Sequence, residues 1–122
     1  MAKTDKNTPS AHFLRTISNA NISRRSASLV TQLQIGHIPL NGYLKKINKV
    51  DQANCPACGT DYESVRHFLL DCPGYAHERW LLEKRLKRRN KNLTMENLLG
   101  DAEATIPLTN YIYTSYRFPP NT

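Results

Sequence analysis

The chain has 122 residues, 8% aromatic and 39% hydrophobic, which leaves room for one small domain with a thin hydrophobic core. Chains of this size often rely on a metal ion, a disulfide or a larger partner for stability. No apolar run approaches the roughly 20 residues that span a bilayer, and the N-terminus lacks the apolar stretch of a signal peptide. We therefore expect an intracellular protein, nuclear or cytoplasmic, that is not secreted and has no membrane partner.

The net charge of +7 is unevenly distributed along the chain. Residues 1–50 carry eight Lys/Arg against one acid, whereas residues 51–72 carry one Arg against four acids. Residues 73–91 hold seven basic residues against two acids. Clustered positive charge favours a polyanionic partner, most often nucleic acid. Solubility, or charge inherited from a larger protein, is the alternative explanation.

Composition divides the chain into three regions. Residues 1–23 are polar and rich in Ser, Thr and Asn, so we predict a disordered lead-in. Helical periodicity runs through residues 24–118, which we predict to form one helical domain. Residues 119–122 form a short tail.

Two short helices are predicted at the start of this domain. Ser23 or Ser26 can cap the first, and Gly36 is a suitable C-terminal stop. The apolar stripe of the first helix comprises Leu29, Val30 and Leu33. The apolar residues of the second helix are Tyr43, Leu44, Ile47 and Val50. Its outward basic residues are Lys45, Lys46 and Lys49.

Two longer helices are predicted next. Thr60-Asp-Tyr-Glu63 has the form of a capping box, so a helix should begin there and end at Pro73-Gly74. The residues that this helix turns inward are Val65, Phe68 and Leu69. A long helix follows over residues 75–89. Its apolar face comprises Tyr75, Leu82 and Leu86.

Two helices complete the prediction. Thr94 can cap a short helix that ends at Gly100, and Pro107 suits the first turn of the last helix. The last helix carries Leu108, Tyr111, Ile112 and Tyr116. Strand signals are weak, apart from a short β-hairpin that the first cysteine pair would allow. The predicted fold class is mainly α.

Three cysteines and one histidine have the spacing C-x2-C-x8-H-x4-C, at Cys55, Cys58, His67 and Cys72. An odd number of cysteines makes a poor disulfide framework, whereas three thiolates and one imidazole are a standard zinc complement. Two cysteines separated by two residues can bind one metal from a single tight turn, and Gly59 tolerates a positive φ just after it. Because four protein ligands leave no open position, we predict a structural Zn²⁺ and a domain organised around this CCHC-type zinc knuckle.

The spacing leaves some features of the site open. On a regular helix Cys72 lies about 140° round from His67, so the helix must unwind near its end for both to bind one metal. His77 is a rival fourth ligand if His67 points elsewhere. The alternative without a metal is a set of free cysteines and a surface histidine.

Residues 25–44 resemble a segment that follows the RNase H domain in non-LTR retrotransposon polyproteins of fungal type. Residues 55–59, 65–73 and 75–79 resemble the reverse-transcriptase zinc-binding region there, and residues 97–101 resemble its closing segment. The resemblance covers about residues 24–118. Carried over by position, it implies the same four zinc ligands that the spacing indicates.

The resemblance does not extend to a catalytic module. An RNase H site needs several carboxylates that hold two metal ions on a mixed sheet, for which the chain is too short. The deaminase signature is missing too, because no histidine has Glu two residues later and Cys55 follows Asn54. We expect no enzymatic activity and no small-molecule substrate. The chain is then either a retained accessory domain or a non-functional remnant.

The long helix is the predicted nucleic-acid interface. Trp80, Lys84, Lys87 and Lys91 follow an i, i+4, i+7, i+11 stripe, which Arg88 borders. One aromatic ring among several cations is suited to RNA or single-stranded DNA, and the lysines of the second helix could extend the stripe. The alternative is a solvated helix face with Trp80 packed on a neighbouring helix.

A second hypothesis is a zinc-stabilised protein-interaction module that docks on an RNase H or reverse-transcriptase domain. Such a module needs exposed apolar residues, and aromatic side chains are frequent near the C-terminus. The candidates are Tyr111, Tyr113, Tyr116 and Phe118.

Overall fold

The structure, a computed structural model, describes residues 22–118. Five α-helices lie in this part of the chain: α1 (Arg24–Ile35), α2 (Asn41–Lys46), α3 (Ala76–Lys87), α4 (Met95–Gly100) and α5 (Thr105–Ser115). A π-helical segment (His67–Asp71) and two 3₁₀ turns (Pro73–Tyr75 and Ala102–Ala104) complete the elements. No strand forms within residues 22–118, so the mainly α prediction is confirmed. The predicted lead-in, except for Ile22 and Ser23, and the predicted tail lie outside the described residues.

Helix α1 begins and ends where the sequence predicts. The Ser23 hydroxyl accepts a hydrogen bond from the Ser26 N–H at 3.1 Å, and Gly36 ends the helix with a φ of 78°. The predicted apolar stripe is buried. Gln34 is also buried, and its side-chain amide donates to the Leu99 carbonyl at 2.7 Å, which ties α1 to the end of α4.

Helix α2 is shorter than the sequence predicts and begins earlier, at Asn41. It ends at Lys46 because Asn48 adopts a left-handed conformation with a φ of 60°. Ile47 therefore falls outside the helix and is exposed, and Val50 is only half-buried. The assignment of both residues to an apolar helix face is wrong.

The centre of the fold is the packing of α3 against α5. The predicted apolar face of α3 is buried there, and Leu108, Tyr111 and Ile112 of α5 are buried too. Tyr116 departs from the prediction, because α5 ends at Ser115 and Tyr116 itself is left-handed, with a φ of 56°. Its side chain is consequently 74% exposed instead of packing in the core.

Helix α4 begins at the predicted cap, where the Thr94 hydroxyl accepts a hydrogen bond from the Asn97 N–H at 3.1 Å. Leu98 is its fully buried residue. Asp101 then caps the following 3₁₀ turn by accepting from the Glu103 N–H at 2.9 Å. None of the helices described is both long and apolar enough to cross a membrane.

Candidate metal centre and basic surface

The first cysteine pair lies at the tip of a loop with two extended arms. The Cys55 N–H donates to the Asp61 carbonyl at 2.8 Å, and the Glu63 N–H donates to the Ala53 carbonyl at 2.7 Å. Within the described residues this pairing amounts to one isolated bridge, so the hairpin that the sequence allows is not a pair of strands. Gly59 adopts the expected positive φ, 81°, and its N–H donates to the Cys55 carbonyl.

The helical segment after this loop begins later than the predicted capping box. Ser64 is the residue that caps it, since its hydroxyl accepts the His67 N–H at 3.0 Å. Thr60 instead points its hydroxyl at the Cys58 sulfur, 3.9 Å away. Glu63 is turned into the protein interior. The prediction of a helix from Thr60 is therefore wrong, because residues 61–63 continue the extended arm of the loop.

The π-helical segment allows His67 and Cys72 to approach the same site, although a regular helix would separate them by about 140°. The Cys72 N–H donates to the His67 carbonyl at 2.8 Å, an i to i+5 bond that places the two residues one wide turn apart. Cys72 itself has left the helix and is extended, with a ψ of 121°. The expected loss of regular helix is thus a widened turn followed by an extended residue.

The four candidate ligands come together in space. Their ligand atoms all lie within 4.8 Å of one another, the Cys55 and Cys72 sulfurs are 3.6 Å apart, and the Cys58 sulfur is 3.5 Å from His67 Nε2. A tetrahedral ion with metal–ligand distances of about 2.0–2.3 Å separates its ligands by about 3.3–3.8 Å. The 3.6 Å and 3.5 Å separations match that range, and this Cys₃His group could hold a metal.

The thiols of the group differ in their electrostatic surroundings. Hydrogen bonds from the backbone N–H groups of Thr60 and Asp61 to sulfur lower the pKa of Cys58 to about 6. Burial, with a smaller contribution from the neighbouring Cys55, raises the pKa of Cys72 to about 12. The surroundings thus favour the thiolate form more at Cys58 than at Cys72, where a bound cation would favour loss of the proton.

The rival ligand His77 lies outside this group. It is exposed on α3, and its ring stacks against Trp80 with 6.1 Å between the ring centres. His67, by contrast, is buried beside Cys58. Among the residues described here, the histidine of the metal-binding group is His67.

A buried ion pair that the sequence did not reveal supports the loop. The carboxylate of Glu63 is fully buried, and it accepts hydrogen bonds from Nε and Nη2 of Arg117, both at 2.7 Å. It also accepts from the Asn41 N–H at 2.6 Å. The hydrogen bonds to Glu63 raise the pKa of Arg117. No local pattern signals this pair, because the two residues are 54 positions apart.

The outer face of α3 presents part of the predicted stripe. Trp80 is 53% exposed, and the ammonium group of Lys84 lies 4.5 Å from the centre of its ring. Trp80 is therefore not buried beneath a neighbouring helix. Lys84 and Arg88 are exposed, and no ion pair within residues 22–118 involves either of them.

The last part of the predicted stripe is interrupted. Lys87 lies 3.9 Å from Glu83, one turn earlier on α3. The helix ends at Lys87, Asn90 turns left-handed with a φ of 59°, and Lys91 pairs with Asp101 at 2.8 Å. The prediction that Lys91 continues the stripe is wrong, because the chain has left the helix and its ammonium group has a carboxylate partner.

The C-terminal aromatic residues divide into two groups. Tyr111 is buried, which rules out the predicted exposure, and Phe118 is half-buried with its ring 5.5 Å from that of Phe68. Tyr113 and Tyr116 are 68% and 74% exposed. They border a groove of about 260 Å³ between α1 and α5.

Fold and site together define a small helical domain built around a Cys₃His group that could hold a metal ion. Over 83 residues, 68% of its length, the chain is 36% identical to a 115 kDa protein in the type-1 retrotransposable element R1DM of Drosophila melanogaster. The chain spans 8% of the length of that relative. This similarity supports a retrotransposon-derived origin. No protein-family model matches the chain, and no solved structure matches it.

Proposed function

We propose that the chain is a non-catalytic, zinc-binding accessory domain of a retrotransposon-derived protein that binds RNA or single-stranded DNA. The observation that carries the proposal is the Cys₃His group, whose ligand atoms lie within 4.8 Å of one another. The similarity to a retrotransposon protein supports a retrotransposon-derived origin. The resemblance of residues 55–79 to a reverse-transcriptase zinc-binding region suggests the more specific role.

Zinc is the metal that suits these donors. Thiolate and imidazole ligands in a tetrahedral arrangement favour Zn²⁺ over the oxygen-binding ions Mg²⁺ and Ca²⁺. The four side chains would fill the coordination sphere and leave no position for water or substrate. The ion would therefore hold the loop and the π-helical segment together, and it would supply stability in place of a larger hydrophobic core.

The metal loop is a poor phosphate site. Residues 51–72 carry one Arg against four acids, and three thiolates around Zn²⁺ would add one net negative charge. Arg66, the basic residue of this stretch, already pairs with Asp71 at 3.5 Å. Phosphate groups would be repelled from this side of the molecule.

The outer face of α3 is the better candidate for nucleic acid. An exposed Trp80 beside the cations of Lys84 and Arg88 combines a stacking ring with phosphate-binding groups. Bases stack on exposed aromatic rings only where they are unpaired, which favours a single strand over a duplex. We define this surface, Trp80, Lys84 and Arg88, as the α3 face. Lys45, Lys46 and Lys49 are exposed as well and could extend it.

The metal part of the proposal is tested by native mass spectrometry of the purified chain, followed by circular dichroism with and without a chelator. We expect one equivalent of zinc and a loss of helix when the chelator removes it. A purified chain that binds no metal and keeps its helices in chelator would contradict the zinc-binding role.

The nucleic-acid part is tested by the double variant Lys84→Ala/Arg88→Ala in fluorescence anisotropy with a single-stranded oligonucleotide. If each cation contacts one phosphate, the slope of log affinity against log salt should fall by about 1.4, at about 0.7 per contact. Trp80→Ala should weaken stacking by about 1–3 kcal/mol. The matched control is Arg66→Ala, which removes a positive charge from the metal loop. Equal affinity for the double variant and the original chain would exclude the α3 face.

The second candidate function is docking on an RNase H or reverse-transcriptase domain. It is favoured by Tyr113 and Tyr116, which are exposed beside the groove between α1 and α5. A pull-down against the polymerase region of a full-length element at high salt should retain the chain, and Tyr113→Ala/Tyr116→Ala should release it. Binding that disappears at high salt would indicate charge-driven association instead.

A further inference from the structure

The π-helical segment contains carbonyl groups that its own backbone does not satisfy. Because the Cys72 N–H donates to His67, the Phe68 carbonyl loses the donor that an α-helix would provide. The next residue, Pro73, has no N–H. Pro73 therefore offers no hydrogen-bond donor to the carbonyl of Phe68, five residues earlier, or to that of Leu69, four residues earlier. Buried carbonyl groups without donors are costly, so other groups must supply the missing hydrogen bonds.

Side chains from α3 and α5 supply these donors. Arg79 donates from Nε to the Leu69 carbonyl at 3.1 Å and from Nη2 to the Cys72 carbonyl at 2.7 Å. The Tyr111 hydroxyl donates to the Phe68 carbonyl. Burial raises the pKa of Tyr111, so this hydroxyl keeps the proton that it donates. One guanidinium group thus connects the middle of the π-helical segment to a candidate metal ligand.

We infer that Arg79 is a positioning residue for the metal ion. By bridging the carbonyls of Leu69 and Cys72, it holds the widened turn that places the Cys72 thiol on the same side as the His67 imidazole. The inference rests on the metal site proposed above and assigns a role to a residue that contributes no ligand atom. The guanidinium also brings a positive charge to a centre that would carry one net negative charge when loaded with Zn²⁺.

The rigid guanidinium fork is the feature that lysine cannot reproduce. Nε and Nη2 of Arg79 reach two different carbonyls at once, because their spacing is fixed within one plane. A lysine at this position would keep the charge but would offer one nitrogen atom. Arg79→Lys therefore keeps the positive charge but loses the bridge between the two carbonyls. Arg79→Gln loses both the charge and the bridge.

The test uses Co²⁺ as a spectroscopic probe of the ligand geometry and Zn²⁺ competition with a chelator as a measure of affinity. Arg79→Gln should raise the metal dissociation constant about 10–100-fold, the range found for groups that orient metal ligands. At saturating Co²⁺ its visible absorption bands should weaken or shift. Arg79→Lys should show the same spectral change, with a smaller loss of affinity.

The control variant is Leu98→Ala, which creates a cavity in α4, a helix that carries no ligand. Metal binding is coupled to folding, so this variant should also lose affinity, but its saturated Co²⁺ spectrum should match that of the original chain. An unchanged spectrum in Arg79→Gln, or full recovery in Arg79→Lys, would overturn the inference. Failure of the original chain to bind Co²⁺ or Zn²⁺ would instead contradict the proposed zinc-binding role.

Discussion

The metal loop and the α3 face are built in opposite ways. In residues 53–72 the chain has little regular structure, and its shape depends on buried contacts with distant residues such as Arg117 and Tyr111. The α3 face is a regular helix surface whose side chains contact mainly their own helical neighbours, as Lys84 does with Trp80. The comparison indicates that side chains of the metal loop contribute more to stability than the exposed side chains of the α3 face. Substitutions in the two regions should differ accordingly.

The largest effect is expected from Cys72→Ser. The substitution removes a thiolate ligand, and structural zinc contributes an apparent binding free energy of about 10–16 kcal/mol in small metal-dependent domains. We expect loss of stoichiometric zinc and of most of the helical signal in circular dichroism. Lys84→Ala, prepared in parallel, should keep both. A folded Cys72→Ser variant with one bound zinc would show that the loop does not depend on this ligand.

A smaller but still large effect is expected from Arg117→Ala. It leaves the fully buried Glu63 carboxylate without its charged partner, which typically costs about 3–5 kcal/mol. Urea unfolding of the zinc-loaded protein measures the loss. Arg66→Ala is the matched control, because its pair with Asp71 is exposed and should contribute about 0–1 kcal/mol. Similar losses in both variants would remove the distinction between buried and exposed charge in this loop.

Asp101→Asn should have a modest effect on stability, because it removes the ion pair between the end of α4 and Lys91, which lies just beyond α3. The hydrogen bond from Lys91 lowers the pKa of Asp101 from its ordinary value of 3.8. The pair therefore stabilises the fold above that value and ceases to do so as the pH falls through the folded-state pKa. Because both side chains are partly exposed, we expect a loss of about 1 kcal/mol or less in thermal unfolding at neutral pH. High salt should reduce the loss, and an effect independent of salt would contradict an electrostatic origin.

The smallest effect on stability is expected on the α3 face itself. Lys84→Ala removes a cation from the exposed ring of Trp80, an interaction that contributes about 0.5–1 kcal/mol at exposed sites. The change in melting temperature should consequently be small compared with that of Arg117→Ala. A loss as large as that of Arg117→Ala would mean that the α3 face is part of the stabilising structure.

Local signals in the sequence determined the helix boundaries that depend on neighbouring residues. Ser23 and Thr94 cap their helices as predicted, and Gly36 ends α1. Each of these signals acts within a few positions, where side chain and backbone are always close. The spacing of the cysteines and His67 likewise identified the residues that the structure brings within 4.8 Å of one another.

Contacts between distant residues decided the rest. Glu63 has the position of a capping-box residue, yet its carboxylate pairs with Arg117. Lys91 lies outside the predicted stripe and pairs with Asp101. The π-helical turn also depends on donors from α3 and α5, because Pro73 cannot supply one. A buried carboxylate or carbonyl takes the partner that the folded chain places beside it, and sequence spacing does not specify that partner.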